Sequence, residues 1–479
     1  MPLTTPLPTG FREQIHELLP EEAHALLRAL DEEPSVSIRL NARKTREIEL
    51  SRKTEGIDLP LPLGEAVPWA DPLGYYLDQR PSFTADPLWH AGCYYVQEAS
   101  SMLLSLVKPL LGEEPLTALD LCAAPGGKST LLLDLLPEGS ILVSNELIRS
   151  RAQILAENIQ KWGATQSIVT STEPRALGKI RTTFDFILVD APCSGEGMLR
   201  KDEEARRQWS PGLVSQCARQ QREILEDIWP ALRPGGILVY STCTFNREED
   251  EAMIGYLVEE FGAEPLGLPD CPSEIIPSTL SPYPCYRMMP HRVRGEGLFL
   301  AVLRKSEDEV PAKGKPSKGK GRGSIKAPAE VLAWLAEDLR QDLILQQVGD
   351  DQLVAYSSSV LSLVEQLQAQ KIPILTSGIP LAEVKGKNYL PYPTLALSLA
   401  LAKEAFPRVE VTQETAIRYL AREAIILPET TPKGFVLICY GGQALGFVKH
   451  LGNRSNNLYP QAWRIRHPEL VLTTLAEGK

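Results

Sequence analysis

Between residues 86 and 305 the sequence alternates short apolar runs with segments whose apolar residues recur at helical spacing. Fully apolar runs that alternate with helices are typical of parallel strands buried on both faces. We therefore predict a doubly wound α/β sheet, which binds ligands at the carboxyl ends of its strands. The predicted strands are 116–122, 140–145, 184–189, 236–241 and 298–303, and the predicted helices between them are 129–136, 149–162 and 214–232.

The remaining chain divides into further units, because 479 residues are too many for one hydrophobic core. Residues 1–85 combine helical spacing with an alternating strand at 34–41, which predicts a small α/β unit. Residues 306–326 are rich in Lys and Gly, which predicts a flexible basic linker that is either a solvated tether or an RNA-contacting arm. We expect a small α/β domain at 327–385 and a last domain at 386–479.

Charge and cysteine content restrict the class of protein. The net charge of −11 argues against a surface coated in positive charge, although a local basic face would suffice to bind phosphates. Eight cysteines in so long a chain do not make a disulfide framework, and none has the Cys-x-x-Cys spacing of a zinc site. The sequence shows no membrane-spanning run and no signal pattern. We expect a cytoplasmic monomer that uses neither metal nor membrane.

The last unit of the sequence carries a local basic face. Two predicted strands, 434–439 and 444–448, flank Gly441-Gly442, which is a hairpin signal. From residue 434 to residue 467 the sequence has no Asp or Glu, which in an acidic chain favours RNA contact over ordinary surface charge. The basic side chains of this stretch include Lys449, Arg454, Arg464 and Arg466.

A glycine-rich turn joins the first predicted strand to its helix. Gly126 and Gly127 allow the backbone to approach a ligand, and the helix that follows offers it free N–H groups. The glycine spacing fits neither a triphosphate loop nor a dinucleotide fingerprint. Glu146 ends the second strand about twenty residues later, where an acid commonly binds ribose hydroxyls. A nucleoside cofactor such as S-adenosylmethionine fits best, and a tight turn with a capping acid is the alternative.

Cys193 and Cys243 each follow an apolar run, in turn sequences rather than core sequences. If their strands are neighbours, the strands lie about 5 Å apart and both thiols can face one pocket. A cysteine at a strand end is more often a small buried hydrophobe. Here the flanking Pro192, Gly195 and Gly197 favour a functional role.

Two thiols beside one cofactor suit methyl transfer to carbon better than transfer to nitrogen. Carbon 5 of a pyrimidine is a poor nucleophile until a thiolate adds to carbon 6 and generates an enamine. Carbon 5 must then lose a proton and the thiol must be expelled, and a second thiol can assist. A neutral carboxyl near ring nitrogen 3 would stabilise the charge, and Asp190 is placed to supply it. The residues alone do not decide which thiol attacks.

Three segments occur in the order found in the RNA cytosine-C5 methyltransferases of the Nol1/Nop2/Sun family and resemble their signature motifs. They are Asp120-Leu-Cys-Ala-Ala-Pro-Gly-Gly-Lys128, Asp190-Ala-Pro-Cys-Ser-Gly-Glu-Gly197 and Ser241-Thr-Cys-Thr244. The resemblance implies a Rossmann-like methyltransferase core at 86–305 that uses S-adenosylmethionine. It implies that Cys243 is the nucleophile, that Cys193 serves product release, and that Lys201 lies near the active site. The cofactor contacts that it implies are Cys122, Ala123, Ala124, Pro125, Gly126, Gly127, Lys128, Glu146 and Asp190, with Glu173 aligned to a third acid.

Segments outside the core resemble one bacterial branch of this family, the RsmF-type enzymes. Ser37-Ile-Arg-Leu-Asn41 resembles the region before the core, and Gly295-Glu-Gly297 resembles its end. Tyr419-Leu-Ala-Arg-Glu423 and Asn457-Leu-Tyr-Pro460 resemble a C-terminal PUA-like RNA-binding unit. This branch implies methylation of cytosine in small-subunit (16S) ribosomal RNA, either free or in the assembled subunit. It also implies Asn457 as an RNA contact beside the four basic side chains of the last unit.

Two alternatives stay open from the sequence. A tRNA cytosine-C5 methyltransferase would carry the same core motifs, and only the C-terminal resemblance favours ribosomal RNA. The alternative from another class is an RNA-binding ribosome-assembly factor whose methyltransferase site is inert. Loss of either thiol or of Glu146 would indicate such a factor, and all three residues are present.

Overall fold

The computed structural model describes residues 3–45, 61–70, 72–272, 275–308 and 328–476. The basic linker predicted at 306–326 lies outside these residues from position 309 onward. Among the helices of the described ranges, none combines the length and apolarity that crossing a bilayer requires.

The first part of the chain forms three α-helices and a three-stranded antiparallel sheet of order β2-β1-β3. Pro20 separates α1 from α2, because proline cannot continue a helix that precedes it. Phe11 and Leu26 of α1 and α2 pack against Trp209 and Phe245 of the central domain, so this unit lies directly on that domain. The elements are α1 (Thr9–Leu18), α2 (Ala23–Ala29), β1 (Val36–Leu40), β2 (Gly74–Leu77), α3 (Pro87–His90) and β3 (Tyr94–Tyr95).

The middle of the chain builds the predicted doubly wound sheet. Its elements are β4 (Thr117–Asp120), α4 (Gly127–Leu135), β5 (Ile141–Asn145), α5 (Arg149–Trp162), β6 (Ser167–Thr170), α6 (Pro174–Gly178), β7 (Phe184–Asp190), α7 (Glu203–Gln208), α8 (Pro211–Ile228), β8 (Leu232–Thr242), α9 (Glu251–Phe261), β9 (Glu264–Leu266), β10 (Tyr286–Met288) and β11 (Leu298–Arg304). The strand order is β10-β11-β8-β7-β4-β5-β6, with β9 beside β11. Strands β4 to β8 are parallel, whereas β11 pairs antiparallel with β8, so the sheet is mixed at this edge.

The central strands are apolar on both faces, which explains their continuous hydrophobic runs. Leu119 and Val189 face one core of the sheet, and Ala118 and Leu188 face the other. Helices cover both cores, as expected for an α/β sheet. Because β4, β7 and β8 are adjacent and parallel, their carboxyl ends meet at one edge, where a ligand site is expected.

The last part of the chain builds two four-stranded sheets, β12-β13-β15-β16 and β17-β18-β19-β20. Its elements are α10 (Ala329–Leu332), β12 (Ile344–Val348), β13 (Gln352–Tyr356), α11 (Ser358–Ala369), β14 (Ile374–Ser377), β15 (Ile379–Lys385), β16 (Asn388–Pro391), β17 (Arg408–Glu410), α12 (Gln413–Leu420), β18 (Gly434–Tyr440), β19 (Gln443–His450), β20 (Ser455–Asn457) and α13 (Pro468–Ala476). The hairpin predicted around Gly441-Gly442 corresponds to β18 and β19.

Two features of this region differ from the predicted domain borders. Strand β14 leaves its own unit and pairs antiparallel with β6, so it extends the central sheet by one strand. The border predicted between residues 385 and 386 falls inside the β15–β16 hairpin, where Lys385 pairs with Asn388. The short turn between these strands carries a positive-φ glycine, Gly386, which in the sequence resembles a linker.

The last sheet packs against the first one through a shared hydrophobic core. Leu40 and Cys93 of the first unit join Ile417, Val436 and Val448 of the last unit in this core. The first and last units are therefore in contact, and both lie next to the central domain.

Candidate active site

Two thiols meet where β7 and β8 end. In the register of this parallel pair Asp190 is level with Ser241, and each cysteine follows within three residues. The Sγ atoms of Cys193 and Cys243 lie 3.4 Å apart, and both are free thiols in hydrogen-bond contact. The structure thus brings together the two cysteines that the sequence singles out.

The surroundings distinguish the two thiols. The hydrogen bond from Cys193 lowers the pKa of Cys243; burial and the Asp190 carboxylate oppose this effect, and the ammonium groups of Lys128 and Lys201 support it. For Cys193, the contact with Cys243, burial and the carboxylate of Glu249 all raise the pKa of the thiol. These surroundings favour ionisation of Cys243 over ionisation of Cys193.

A buried polar network that the sequence analysis missed holds the two cysteine loops in place. The Glu249 carboxylate accepts hydrogen bonds from the Ser194 backbone N–H at 3.0 Å and from the Gln221 and Asn246 side chains at 2.7 and 2.8 Å. Burial raises the pKa of Glu249. Glu196 accepts from the Phe245 N–H and from Gln14 of helix α1, which ties the loop to the first unit. Glu196 is part of the quoted cysteine motif, whereas nothing in the sequence marks Glu249.

Asp190 is ion-paired rather than isolated. Lys128 Nζ lies 2.9 Å from Asp190 Oδ2, and the Ser241 hydroxyl donates to Oδ1 at 2.8 Å. Both Asp190 oxygens are therefore held by groups at the ends of β7 and β8 and at the start of α4, whereas the motif alone does not reveal that Lys128 reaches the end of β7.

A second carboxyl, that of Asp120, lies near the same strand ends. Asp120, at the end of β4, is fully buried, and burial raises its pKa to about 7. Its Oδ2 accepts from the Ser129 hydroxyl at 2.6 Å, while Oδ1 has no hydrogen-bond partner among the described residues. Asp120 opens the quoted glycine motif, so the signal was present in the sequence but was not assigned a role.

The glycine turn is built for close packing. Gly126 has φ +117°, and a Cβ there would lie 3.2 Å from a Leu155 methyl carbon on α5. A Cβ on Gly127 would lie 3.3 Å from the Tyr95 ring. The Ala123 N–H donates to the Asn145 carbonyl at 2.8 Å, and the Asn145 side chain braces the loops after β4 and β6. The backbone from Cys122 to Lys128, including Ala124 and Pro125, is thereby fixed at the strand ends.

The carboxylates of Asp120, Asp190 and Glu146 act on the turn between Cys122 and Lys128. Burial raises the pKa of the Cys122 thiol, and the carboxylates of Asp120, Asp190 and Glu146 raise it further. Glu146 is buried at the end of β5, where it accepts from the Ile148 N–H at 2.9 Å. Glu173 is exposed at the start of α6, and its charge acts on Asp227 of α8 instead. The cofactor contact implied for Glu173 therefore stays a prediction.

These residues fit a nucleoside methyl donor. The candidate cofactor site lies at the ends of β4 and β5. It is lined by Gly126, which has no Cβ, by the buried Glu146 carboxylate, and by the Asp120 oxygen that has no hydrogen-bond partner among the described residues. Backbone N–H groups at the start of α4 add donors. Within the described residues, no group of His, Cys, Asp or Glu has the arrangement of a metal site.

The predicted RNA contacts of the last unit separate into two kinds. The side chains of Lys449, Arg454, Arg464 and Arg466 are exposed on or near the last sheet. Asn457 has a structural position instead. Its amide donates to the Tyr419 and Glu423 carbonyls at 2.8 and 3.2 Å and its oxygen accepts from the Tyr459 N–H, so both donors are used within the fold.

The parallel strand order, the glycine turn after β4 and the acid after β5 define the class of S-adenosylmethionine-dependent methyltransferases. Family models agree with this class. Residues 107–304 match the 16S rRNA methyltransferase RsmB/F model, residues 7–99 match the N-terminal domain of 16S rRNA methyltransferase RsmF, and residues 406–465 match the methyltransferase RsmF PUA domain.

Relatives extend the similarity over the whole chain. Ribosomal RNA small subunit methyltransferase F of Aliivibrio fischeri (strain MJ11) is 32% identical over 477 residues, covering 95% of this chain and 97% of the relative. The protein of the same name from Klebsiella pneumoniae (strain 342) is 33% identical over 82% of this chain and 83% of its own length. A crystal structure of a methyltransferase homolog protein from Pyrococcus horikoshii aligns with TM-score 0.53 and 27% identity, covering 62% of this chain and 95% of that one. The chain belongs to the ribosomal RNA small subunit methyltransferase F family.

Proposed function

We propose that this protein transfers a methyl group from S-adenosylmethionine to carbon 5 of cytosine in small-subunit ribosomal RNA, through a covalent bond between Cys243 and carbon 6. The observation that carries the proposal is the 3.4 Å contact between two thiols with opposite surroundings. Methylation of a ring nitrogen would need neither a thiolate nor a second thiol. Methylation of carbon 5 needs a nucleophile that can add and then leave.

Cys243 begins the reaction as the thiolate. Its sulfur adds to carbon 6, and the electron pair of the C5–C6 double bond moves into the ring. S-adenosylmethionine supplies an electrophilic methyl group, which carbon 5 accepts. Water in the pocket accepts the proton of carbon 5, the electron pair of that C–H bond re-forms the C5–C6 double bond, and Cys243 leaves carbon 6 as the thiolate with which the reaction began. The hydrogen bond from Cys193 that lowers the pKa of Cys243 also stabilises it as the departing thiolate.

The ion pair of Lys128 and Asp190 faces the ring in this scheme. An Asp190 oxygen accepts a hydrogen bond from the exocyclic amine, a group that cytosine has and uracil lacks. The Lys128 ammonium, 2.9 Å from Asp190, offsets the negative charge that thiolate addition places on the ring. Asp120 and Glu146, with the backbone of 122–128, would hold the methyl donor.

The units at the ends of the chain would bind the RNA. We propose that the first unit, which includes β3 and so extends past the predicted border at residue 85, positions the RNA. The central sheet carries out methyl transfer, and the last sheet, within the matched residues 406–465, binds the RNA. The basic segment predicted at 306–326 and the unit that begins at residue 327 lie between them, with the predicted border at 385 moved beyond the β15–β16 hairpin. Lys449, Arg454, Arg464 and Arg466 supply the phosphate contacts. Two lines support ribosomal RNA as substrate: the names of the relatives and the matched RNA methyltransferase and PUA models. The protein would act as a monomer in the cytoplasm.

A methyl-transfer assay tests the proposal. Purified protein and S-adenosylmethionine with a labelled methyl group are incubated with naked small-subunit rRNA, with assembled small subunits and with tRNA. We expect label in rRNA, naked or assembled, that maps to 5-methylcytosine. Label in tRNA alone would identify tRNA as the substrate in place of rRNA. Label on a ring nitrogen would refute methylation of carbon 5. No label in any RNA would indicate an inert site.

A further inference from the structure

Arg39 is a buried cation between the first unit and the central domain, and the reaction scheme above gives it no role. It lies on β1, in the Ser37-Ile-Arg-Leu-Asn41 segment, and is only 1% exposed. Burying a guanidinium is costly unless carboxylates and other acceptors surround it. The position of Arg39 therefore depends on the groups that accept its hydrogen bonds.

The guanidinium donates from all three of its nitrogens. Nε donates to the Gln97 side-chain oxygen at 2.8 Å, a contact within the first unit. Nη2 donates to the Thr130 hydroxyl at 2.7 Å, and Nη1 is ion-paired with the Asp134 carboxylate. Thr130 and Asp134 are four residues apart on α4 and so lie on one face of that helix. Arg39 therefore attaches two successive turns of α4 to the first unit.

Thr130 connects Arg39 to the glycine turn. Its hydroxyl oxygen accepts from Arg39, so its own proton is free to be donated. The Gly126 carbonyl oxygen lies 2.9 Å from this hydroxyl and the Gly127 carbonyl oxygen lies 3.0 Å from it. A hydroxyl that accepts from a charged group becomes a stronger donor. Arg39 therefore strengthens the hydrogen bond that fixes the carbonyl groups of the turn.

Further contacts hold the guanidinium in one orientation. The centroid of the Trp162 ring lies 4.6 Å from Arg39 Cζ, a cation–π distance. The Trp162 N–H donates to the second Asp134 oxygen at 3.1 Å. A Cβ on Gly127 would lie 3.8 Å from the Gln97 side chain, so the first unit also packs against the start of α4. The ion pair and its surroundings thus join the first unit rigidly to the helix of the cofactor site.

We propose that Arg39 is a positioning residue for the methyl donor, which acts from the first unit by fixing the glycine turn through Thr130. The role rests on the proposed function in placing S-adenosylmethionine at this turn, and it does not depend on which base or ring atom is methylated. Arg39 itself is too deeply buried to contact a ligand. A turn that is held in its bound conformation loses less conformational entropy on binding, so the ligand binds more tightly.

Binding of S-adenosylmethionine to the full-length protein, measured by calorimetry without RNA, tests this role. Thr130→Val removes the hydroxyl and keeps the outline of the side chain, whereas Thr130→Ser keeps the hydroxyl. We expect Thr130→Val to raise Kd by about 2- to 10-fold, the effect of one lost hydrogen bond, and Thr130→Ser to restore binding. Arg39→Lys should raise Kd at least as much as Thr130→Val, because an ammonium cannot replace a planar guanidinium that bonds three acceptors.

Arg206→Lys is the matched control for a general loss of stability. Arg206 is another buried arginine that joins the first unit to the central domain. It donates to the carbonyl oxygens of Thr5, Leu30 and Leu199, none of which lies on α4. We expect Arg206→Lys to lower the melting temperature, as Arg39→Lys does, and to leave Kd unchanged.

An unchanged Kd in Thr130→Val and Arg39→Lys would overturn the proposal, and so would an equal rise of Kd in Arg206→Lys. If Arg39→Lys does not fold, the comparison of Thr130→Val with Thr130→Ser decides, and equal values of Kd for these two variants would refute the role of the hydroxyl. A raised Kd together with methyl transfer to another base or atom would refute the proposed reaction and leave the positioning role intact. A wild-type protein that binds no S-adenosylmethionine would refute both.

Discussion

Replacing Cys193 by alanine should convert a transient protein–RNA bond into a stable one. In the proposed reaction Cys193 is not the attacking group, so Cys243 can still add to carbon 6 with help from Lys128 and Lys201. What the variant lacks is the donor 3.4 Å from the departing sulfur. We therefore expect methylated RNA to remain bonded to the Cys193→Ala protein, while Cys243→Ala forms no bond at all.

The size of the effect follows from the contact that is lost. A hydrogen bond to a charged group contributes about 1.5 to 3 kcal/mol. A barrier raised by that amount slows release by roughly 10- to 150-fold. Addition is slowed too, because the pKa of Cys243 rises when the hydrogen bond is lost, but the two ammonium groups remain. The adduct should consequently form slowly and persist.

The assay is a denaturing gel of protein incubated with S-adenosylmethionine and small-subunit rRNA. The Cys193→Ala variant should show a slowly migrating, nuclease-sensitive protein band that the wild type shows only faintly. Cys193→Ser is the matched control, since its hydroxyl can still donate and should restore part of the release. An adduct in Cys243→Ala but not in Cys193→Ala would reverse the two roles. Adduct bands of equal intensity for wild type and Cys193→Ala would show that Cys193 takes no part in releasing the RNA from Cys243.

Three further predictions concern the framework of the site. Gly126→Ala should destabilise the fold by about 1 to 2 kcal/mol, because φ at this position is +117°, and should weaken S-adenosylmethionine binding measured by calorimetry. Gly255→Ala is the control: a Cβ there meets no atom within 4 Å, so stability and binding should not change. Hydrogen bonds from Arg292, aided by His291, lower the pKa of Glu22 to about 2. That group contributes stability above about pH 4.5 that is lost as the pH falls toward 2, so urea midpoints of wild type and Glu22→Gln should converge over this interval. Asn457→Ala should lower the melting temperature while leaving the salt dependence of RNA binding unchanged; a reduced salt slope would reinstate it as a phosphate contact.

Much of the central sheet was predictable because its strands are buried on both faces. The apolar runs that became β4, β5, β7, β8 and β11 carry a signal that does not depend on their partners. Features that depend on contacts between distant segments of the chain were not predictable from the sequence. The pairing of β14 with β6 joins residues about two hundred positions apart, and nothing local in Ile374–Ser377 specifies it. The β15–β16 hairpin was missed because a polar glycine turn inside a sheet resembles a domain border.

The same distinction between local and partner-dependent features applies to the site, because the sequence does not show which groups surround each cysteine. Strand ends and motif spacing bring Cys193 and Cys243 together, but by symmetry a pair of thiols 3.4 Å apart does not say which one ionises. The asymmetry comes from groups on other elements: Lys128 at the start of α4 and Lys201 near α7 act on Cys243, and Glu249 before α9 acts on Cys193. Family resemblance supplies the same order of roles from a different source. Replacing Lys128 or Lys201 by Glu, or Glu249 by Lys, should therefore favour ionisation of Cys193 over Cys243. Substitutions confined to the ends of β7 and β8 should only increase the distance between the two sulfur atoms.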